Sequence, residues 1–141
     1  MRFPISITHN FLLEPILHTF GVKKESSYVE IEGGSLHVTM GRWFDEKIPI
    51  DRVAQIAPSE WPWWGGLGVK TAPHHGVGVV GSTEGVVNIK LKEKQRMFLV
   101  LFHGEVEQLW VSVEDRDGFM KALSEAAHAP IVEHVPFWES K

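Results

Sequence analysis

The sequence predicts a mainly β fold: a strongly bent antiparallel sandwich or barrel capped by one C-terminal α-helix. Three observations lead there. Apolar and polar residues alternate with a period of two through most of the chain, as half-buried strands require. Short turn signals separate those runs. Only one stretch, near the end, keeps helical spacing. With 141 residues, 43% of them hydrophobic, the chain can bury one core without covalent staples and reads as one domain over 1–141.

At the N-terminus, Phe3, Ile5 and Ile7 alternate with Pro4, Ser6 and Thr8, which predicts an early strand. Phe11 to Phe20 is apolar but interrupted by Glu14, Pro15 and His18, too short and too polar for a membrane span and without a leader cleavage site. Residues 28–32 and 35–40 alternate on either side of Gly33-Gly34, a two-residue hairpin signature because both glycines accept positive φ. Trp43 to Ile50 continues the meander, with Pro49 at a strand end or on an edge. Asp51 to Ala57 reads as a further strand rather than a helical turn.

Residues 61–85 differ in composition: they hold three of the six tryptophans and seven of the thirteen glycines, with Lys70 and Glu84 as the formal charges. So much glycine predicts loops around one or two short strands, with Val77 to Gly81 the best strand candidate. Alternation then returns, with Val87, Ile89 and Leu91 expected inward and Asn88, Lys90, Lys92 and Lys94 outward. Met97 to Phe102 and Gln108 to Val113 read as two more strands, with His103-Gly104-Glu105 as their turn. The helix follows: Asp115 as N-cap, Asp117 in the first turn, Phe119, Leu123 and Ala126 or Ala127 at helical spacing, and Pro130 beyond its end. The tail, 129–141, is unusually apolar, with Val132, Val135, Phe137 and Trp138.

These elements resemble the bacterial pleckstrin-homology-like domains. The resemblance rests on YVEIEGGSLHVTM, on KIPIDRVAQI, on the later strand pair, and on VSVEDRDGFMKALSEA, where a strand runs into a helix through an acidic turn. It covers residues 28–128 and leaves 1–27 as an N-terminal strand and extension. It implies seven bent antiparallel strands closed by the C-terminal helix. Members that bind phosphoinositides use basic residues around the first loop. Here that loop is Gly33-Gly34 after Glu32, without Lys or Arg, so headgroup binding is not carried over.

Composition excludes several chemistries. With no cysteine, there are no disulfides, thiolate metal sites or cysteine nucleophiles. A formal net charge of −4 argues against broad nucleic-acid binding, which needs basic surface. A membrane partner is not expected, and the expected location is the cytoplasm. Gly76 to Gly81 spells GxGxxG, but no helix is predicted after it, so a bent glycine-rich strand is the better reading than a dinucleotide site. Ser82 lacks a nucleophile elbow. Asp45-Glu46 and Glu114-Asp115 suit turns and caps better than acid–base pairs. The Lys90, Lys92, Lys94 and Arg96 stripe reads as a solvated strand face before it reads as a phosphate contact.

Two features remain as candidates. His74-His75 could hold a metal only if His37, His103 or a carboxylate converged on them, since neighbours on a strand point to opposite faces. Trp61-Pro-Trp-Trp-Gly-Gly concentrates large apolar area and indole N–H groups, suited either to an interface or pocket or to plugging one end of the barrel. The expectation is a non-enzymatic module that contacts a protein partner or a second copy through Trp61, Trp63, Trp64, His74, His75 and Trp138. A carrier of an apolar small molecule beside the Trp-rich loop is the alternative, and a histidine-based enzyme a further one. No catalytic residue, metal ligand or cofactor is assigned.

Overall fold

The computed structural model describes residues 1–8, 26–41, 43–72, 74–99 and 102–137. The expectations placed on Phe11–Phe20 and on Trp138 lie outside the described residues. The described residues form two sheets and one α-helix. Strands β1 (Arg2–Pro4), β2 (Ser27–Glu32), β3 (Ser35–Met40) and β4 (Phe44–Pro49) make an antiparallel sheet in sequential order. Strands β5 (Val53–Pro58), β6 (Gly68–Ala72), β7 (Gly76–Val80), β8 (Val86–Leu99) and β9 (Phe102–Ser112) make the second, in the order β5-β8-β9-β7-β6. Helix α1 spans Arg116–Ala127.

Local chemistry accounts for the elements. Gly33 and Gly34 take φ of 59° and 79° and close the β2–β3 hairpin, which pairs Glu32 with Ser35. That register puts Val29, Ile31, Leu36 and Val38 on one face, toward the core. Pro49 ends β4 on the free edge of its sheet, where its missing N–H costs no ladder bond. Val77 to Val80 form a strand as expected, and the glycine-rich stretch contributes a second one, β6, beside it.

The two inner faces supply one core, with Leu36, Val38, Phe44 and Ile48 facing Val53, Ile56, Val79, Ile89, Leu109 and Val111. Helix α1 lies against β2 on one side and β5 and β8 on the other, closing the open end. Its Phe119, Met120, Leu123 and Ala127 are buried, and Phe119 meets Phe3 edge-on at 5.4 Å between ring centres. Ala127, rather than Ala126, is the residue turned inward. The predicted mainly β sandwich capped by a helix is therefore the observed architecture. The described residues form nine strands, and β7 pairs β9 in parallel, because β9 inserts between β7 and β8 after the chain has reversed twice.

The N-terminal segment stitches the sheets together. Ile5 bridges to Val113 and Ile7 to Gly81 in the second sheet. Ser6 N–H donates to the Ser112 carbonyl at 2.8 Å, and Thr8 N–H to the Gly81 carbonyl at 2.9 Å.

Two local expectations are corrected. His103-Gly104-Glu105 is not a turn: β8 and β9 are one long hairpin in which Leu99 pairs Phe102 and Phe98 pairs His103. The apolar run Met97 to Phe102 therefore contains the reversal itself. Asn88 does not face water. It lies fully buried on the outer face of β8, because that face is itself covered.

The helix start generates a test. The Asp115 carboxylate accepts a hydrogen bond from Gly118 N–H at 3.1 Å. Asp115→Ala is expected to cost about 1 kcal/mol in denaturant unfolding, while Asp115→Asn retains most of the cap.

Candidate functional site

The outer face of the five-stranded sheet carries the features singled out by the sequence. Half of that face is covered. Trp61, from the loop after β5, packs with Val80, Val86, Trp110 and Phe137 into a second, smaller apolar cluster. The ring of Phe137 stands 5.1 Å from Trp61 and 5.3 Å from Trp110. Trp61 reaches the sheet because Gly78 has no side chain: a Cβ there would fall 2.3 Å from the indole. Its Nε1–H donates to the Gly66 carbonyl at 2.7 Å. Trp110 Nε1–H donates to Ser59 Oγ at 3.1 Å, and the Ser59 hydroxyl in turn donates to the Val135 carbonyl. Both buried indoles thus have partners, as burial of an N–H demands.

The other half of the face is open. A cleft of about 530 Å³ lies there, lined by Ala54, Gln55, His74, His75, Lys90, Leu91, Glu107 and Gln108. Two interruptions of the β8 ladder frame it. On the β5 side the register slips between Val53, which pairs with Leu91, and Gln55, which pairs with Lys90, so Ala54 is the extra residue of a bulge. On the β9 side pairing breaks between Lys90 and Gln95. Bulges bend strands and re-aim side chains, and here they open the concavity.

His74 and His75 form the rim, in the turn between β6 and β7, with φ of 56° and 55°. Consecutive left-handed residues suit a tight hairpin, but side chains rarely adopt them. A chain of amides ties this rim to the sheet. Gln108 Nε2 donates to the His74 carbonyl at 3.4 Å, and Gln108 Oε1 accepts from Asn88 Nδ2 at 3.1 Å. The His74 carbonyl can only accept, so the chain has one direction, and it ends at a buried Asn88 Oδ1 with no hydrogen-bond partner.

The expected residues therefore separate. Trp61 is a plug, 4% exposed. Trp64 is 67% exposed and stands edge-on to Phe137 at 6.0 Å. The side chain of Trp63 and all of Trp138 lie outside the described residues. His74 and His75 are exposed beside the cleft. Glu107 lines the same cleft, and its N–H donates to the His75 carbonyl at 2.8 Å, but no third histidine joins them among the described residues: His37 pairs with Asp45 on the opposite sheet, and His103 lies near Phe98 on the long hairpin. Among the described residues no three His, Asp or Glu side chains are grouped to hold an ion. Among them, too, no helix is long and apolar enough to cross a membrane.

Sequence reasoning missed Ala54, Gln55, Lys90, Leu91, Glu107 and Gln108 as lining, and Asn88 beneath it. One signal was available: Asn88 interrupts the apolar run Val86-Val87-Asn88-Ile89, where a half-exposed strand would show a charged residue as readily as an amide.

Gly78→Ala tests the seat of Trp61. The indole is held on three sides and cannot retreat, so overpacking is expected to cost about 1–3 kcal/mol and to red-shift tryptophan emission. An unchanged Tm and spectrum would show that the ring is not seated on β7. No family model matches the chain, and no curated protein or solved structure matches it.

Proposed function

We propose that this protein is a non-catalytic binding module that holds a small molecule with both apolar and hydrogen-bonding groups in the cleft beside the Trp-rich segment. One observation carries this reading: two ladder interruptions and a left-handed histidine turn coincide at the same concave patch. Irregular backbone of this kind costs stability, and its concentration at one place is what a binding site requires. The volume of about 530 Å³ falls within the range of small-ligand pockets. Leu91 and Ala54 offer apolar contact, while Gln55, Gln108, Lys90 and Glu107 offer donors and acceptors. The pleckstrin-homology-like resemblance enters this proposal as a binding-module architecture, supported by the helix that follows the last strand and closes the sandwich. A cytoplasmic location belongs to it as well, supported by a small chain that uses no disulfide.

The test uses Trp110, two residues from Gln108 on β9, as reporter. A panel of metabolites, fatty acids and aromatic compounds is titrated while tryptophan emission and Tm are followed. At least one is expected to give a saturable change, with stabilisation of about 2.7 kcal/mol at a hundredfold excess over Kd. Ala54→Trp, which fills the cleft from a half-buried position, is expected to abolish that change without lowering Tm. Binding that persists in Ala54→Trp would remove the cleft as the site.

A second reading is favoured by Trp64, which offers a large ring, 67% exposed, beside Phe137. Aromatic side chains so placed are anchors for protein partners, a second copy included. On this reading the sedimentation mass rises with concentration and Trp64→Ser keeps the protein monomeric. Equal masses for both at all concentrations count against self-association through this surface.

A further inference from the structure

The tail after α1 is a strap on the free edge of the second sheet. Ile56 N–H donates to the Pro130 carbonyl at 3.0 Å, Val132 N–H to the Ile56 carbonyl at 2.9 Å, and Val135 N–H to the Pro58 carbonyl at 3.1 Å. The tail thus runs parallel to β5, bridging Ile131 to Ile56. Ser59 Oγ holds the Val135 carbonyl. His134 Nε2 meets Glu60 Oε2 at 2.7 Å, and Phe137 drops into the cup of Trp61 and Trp110. Every one of these contacts is made by the tail to the 56–61 segment or to the sheet beneath it. An extended segment with an aromatic anchor is what this seat recognises.

The connection to α1 is short and bent. His128 ends the helix in the left-handed region, φ 54° and ψ 39°, with its N–H on the Ser124 carbonyl. Ala129 N–H donates to the same carbonyl at 3.3 Å, and the Ser124 hydroxyl donates to the Ala129 carbonyl at 2.6 Å. A left-handed residue with a Cβ is strained, and Pro130 restricts Ala129 as well. Straightening this hinge relieves the strain. It also breaks the two Ser124–Ala129 bonds and carries the tail away from its own seat, toward the identical seat of another molecule, where the tail-to-seat contacts re-form.

We propose that the seat formed by β5, Ser59, Glu60, Trp61 and Trp110 is an interaction surface for the tail of a second copy, giving a reciprocal tail-exchanged dimer. The intramolecular arrangement is favoured in dilute solution by the high effective concentration of a tethered tail. The exchanged one gains when protein is concentrated, because relief of hinge strain is then no longer outweighed. This goes beyond both readings of function above, since it needs neither a ligand in the cleft nor a contact through Trp64.

The absence of cysteine makes the test direct. Glu60→Cys and His134→Cys are made as separate variants of the whole 141-residue chain; both side chains are partly exposed, so neither change threatens the fold. The two proteins are mixed, concentrated, warmed below Tm, and treated with a short bis-maleimide. Tail exchange predicts that heterotypic products, which join the Glu60→Cys chain to the His134→Cys chain, dominate over both homotypic products. His128→Gly, which removes the strain from the bent hinge, is expected to raise Tm and to lower the exchanged fraction roughly fivefold or more. Tryptic mapping that finds the three possible crosslinks in statistical proportion would overturn the proposal. So would an exchanged fraction that His128→Gly leaves unchanged.

Discussion

A five-stranded sheet that is apolar on both faces has to be covered twice, and much of this fold follows from that demand. Along β8, Val87 and Ile89 face the first sheet, while Val86 and Asn88 face the other way and are equally buried. Along β9, Leu109 and Val111 are inside, and Trp110 and Ser112 are buried on the outer side. The first sheet and α1 cover one face. The other has no sheet or α-helix opposite it among the described residues, so two short segments do the work: the Trp61 loop with its single 3-10 turn and the Val135–Phe137 tail. Loops bury area poorly, and large aromatic rings are how short segments cover a sheet. The tryptophan content of the chain is thus partly a covering requirement.

That requirement also places the cleft. The two segments cover the Val86 and Trp110 end of the outer face and stop short of Lys90 and Gln108. There the sheet changes character from apolar to amide and charged, and the ladder breaks on both sides of Lys90. The site is therefore the uncovered remainder of an otherwise buried surface, with its rim fixed by a turn whose carbonyl is hydrogen-bonded to Gln108.

Much of the fold was legible in the sequence. The Gly33-Gly34 hairpin, the edge position of Pro49 and the Asp115 cap are local chemistry, decided by residues within a few positions of one another. The Asn88 and His103 expectations failed because they depend on what lies across the sheet. Period-two alternation shows that neighbouring side chains point to opposite faces, but it does not show that both faces are covered. The site was less legible still. His74 and His75 were visible as candidates, yet Ala54, Lys90 and Gln108 come from β5, β8 and β9, and the turn before β7 stands beside them because β9 inserts between β7 and β8. Gly78 likewise showed as part of a glycine-rich motif, and only its contact with Trp61 explains it.

The stitching of the two sheets by the N-terminal segment bears on how the chain folds. The Ser112 hydroxyl donates to the Ser6 carbonyl across 106 positions of sequence. Closing so large a loop is entropically costly, and contacts of such separation slow folding. During synthesis, β1 to β4 emerge long before the strand that holds them to the second sheet. Until β9 is made, the first sheet has neither its covering layer nor its lock, and its apolar inner face is open to other chains.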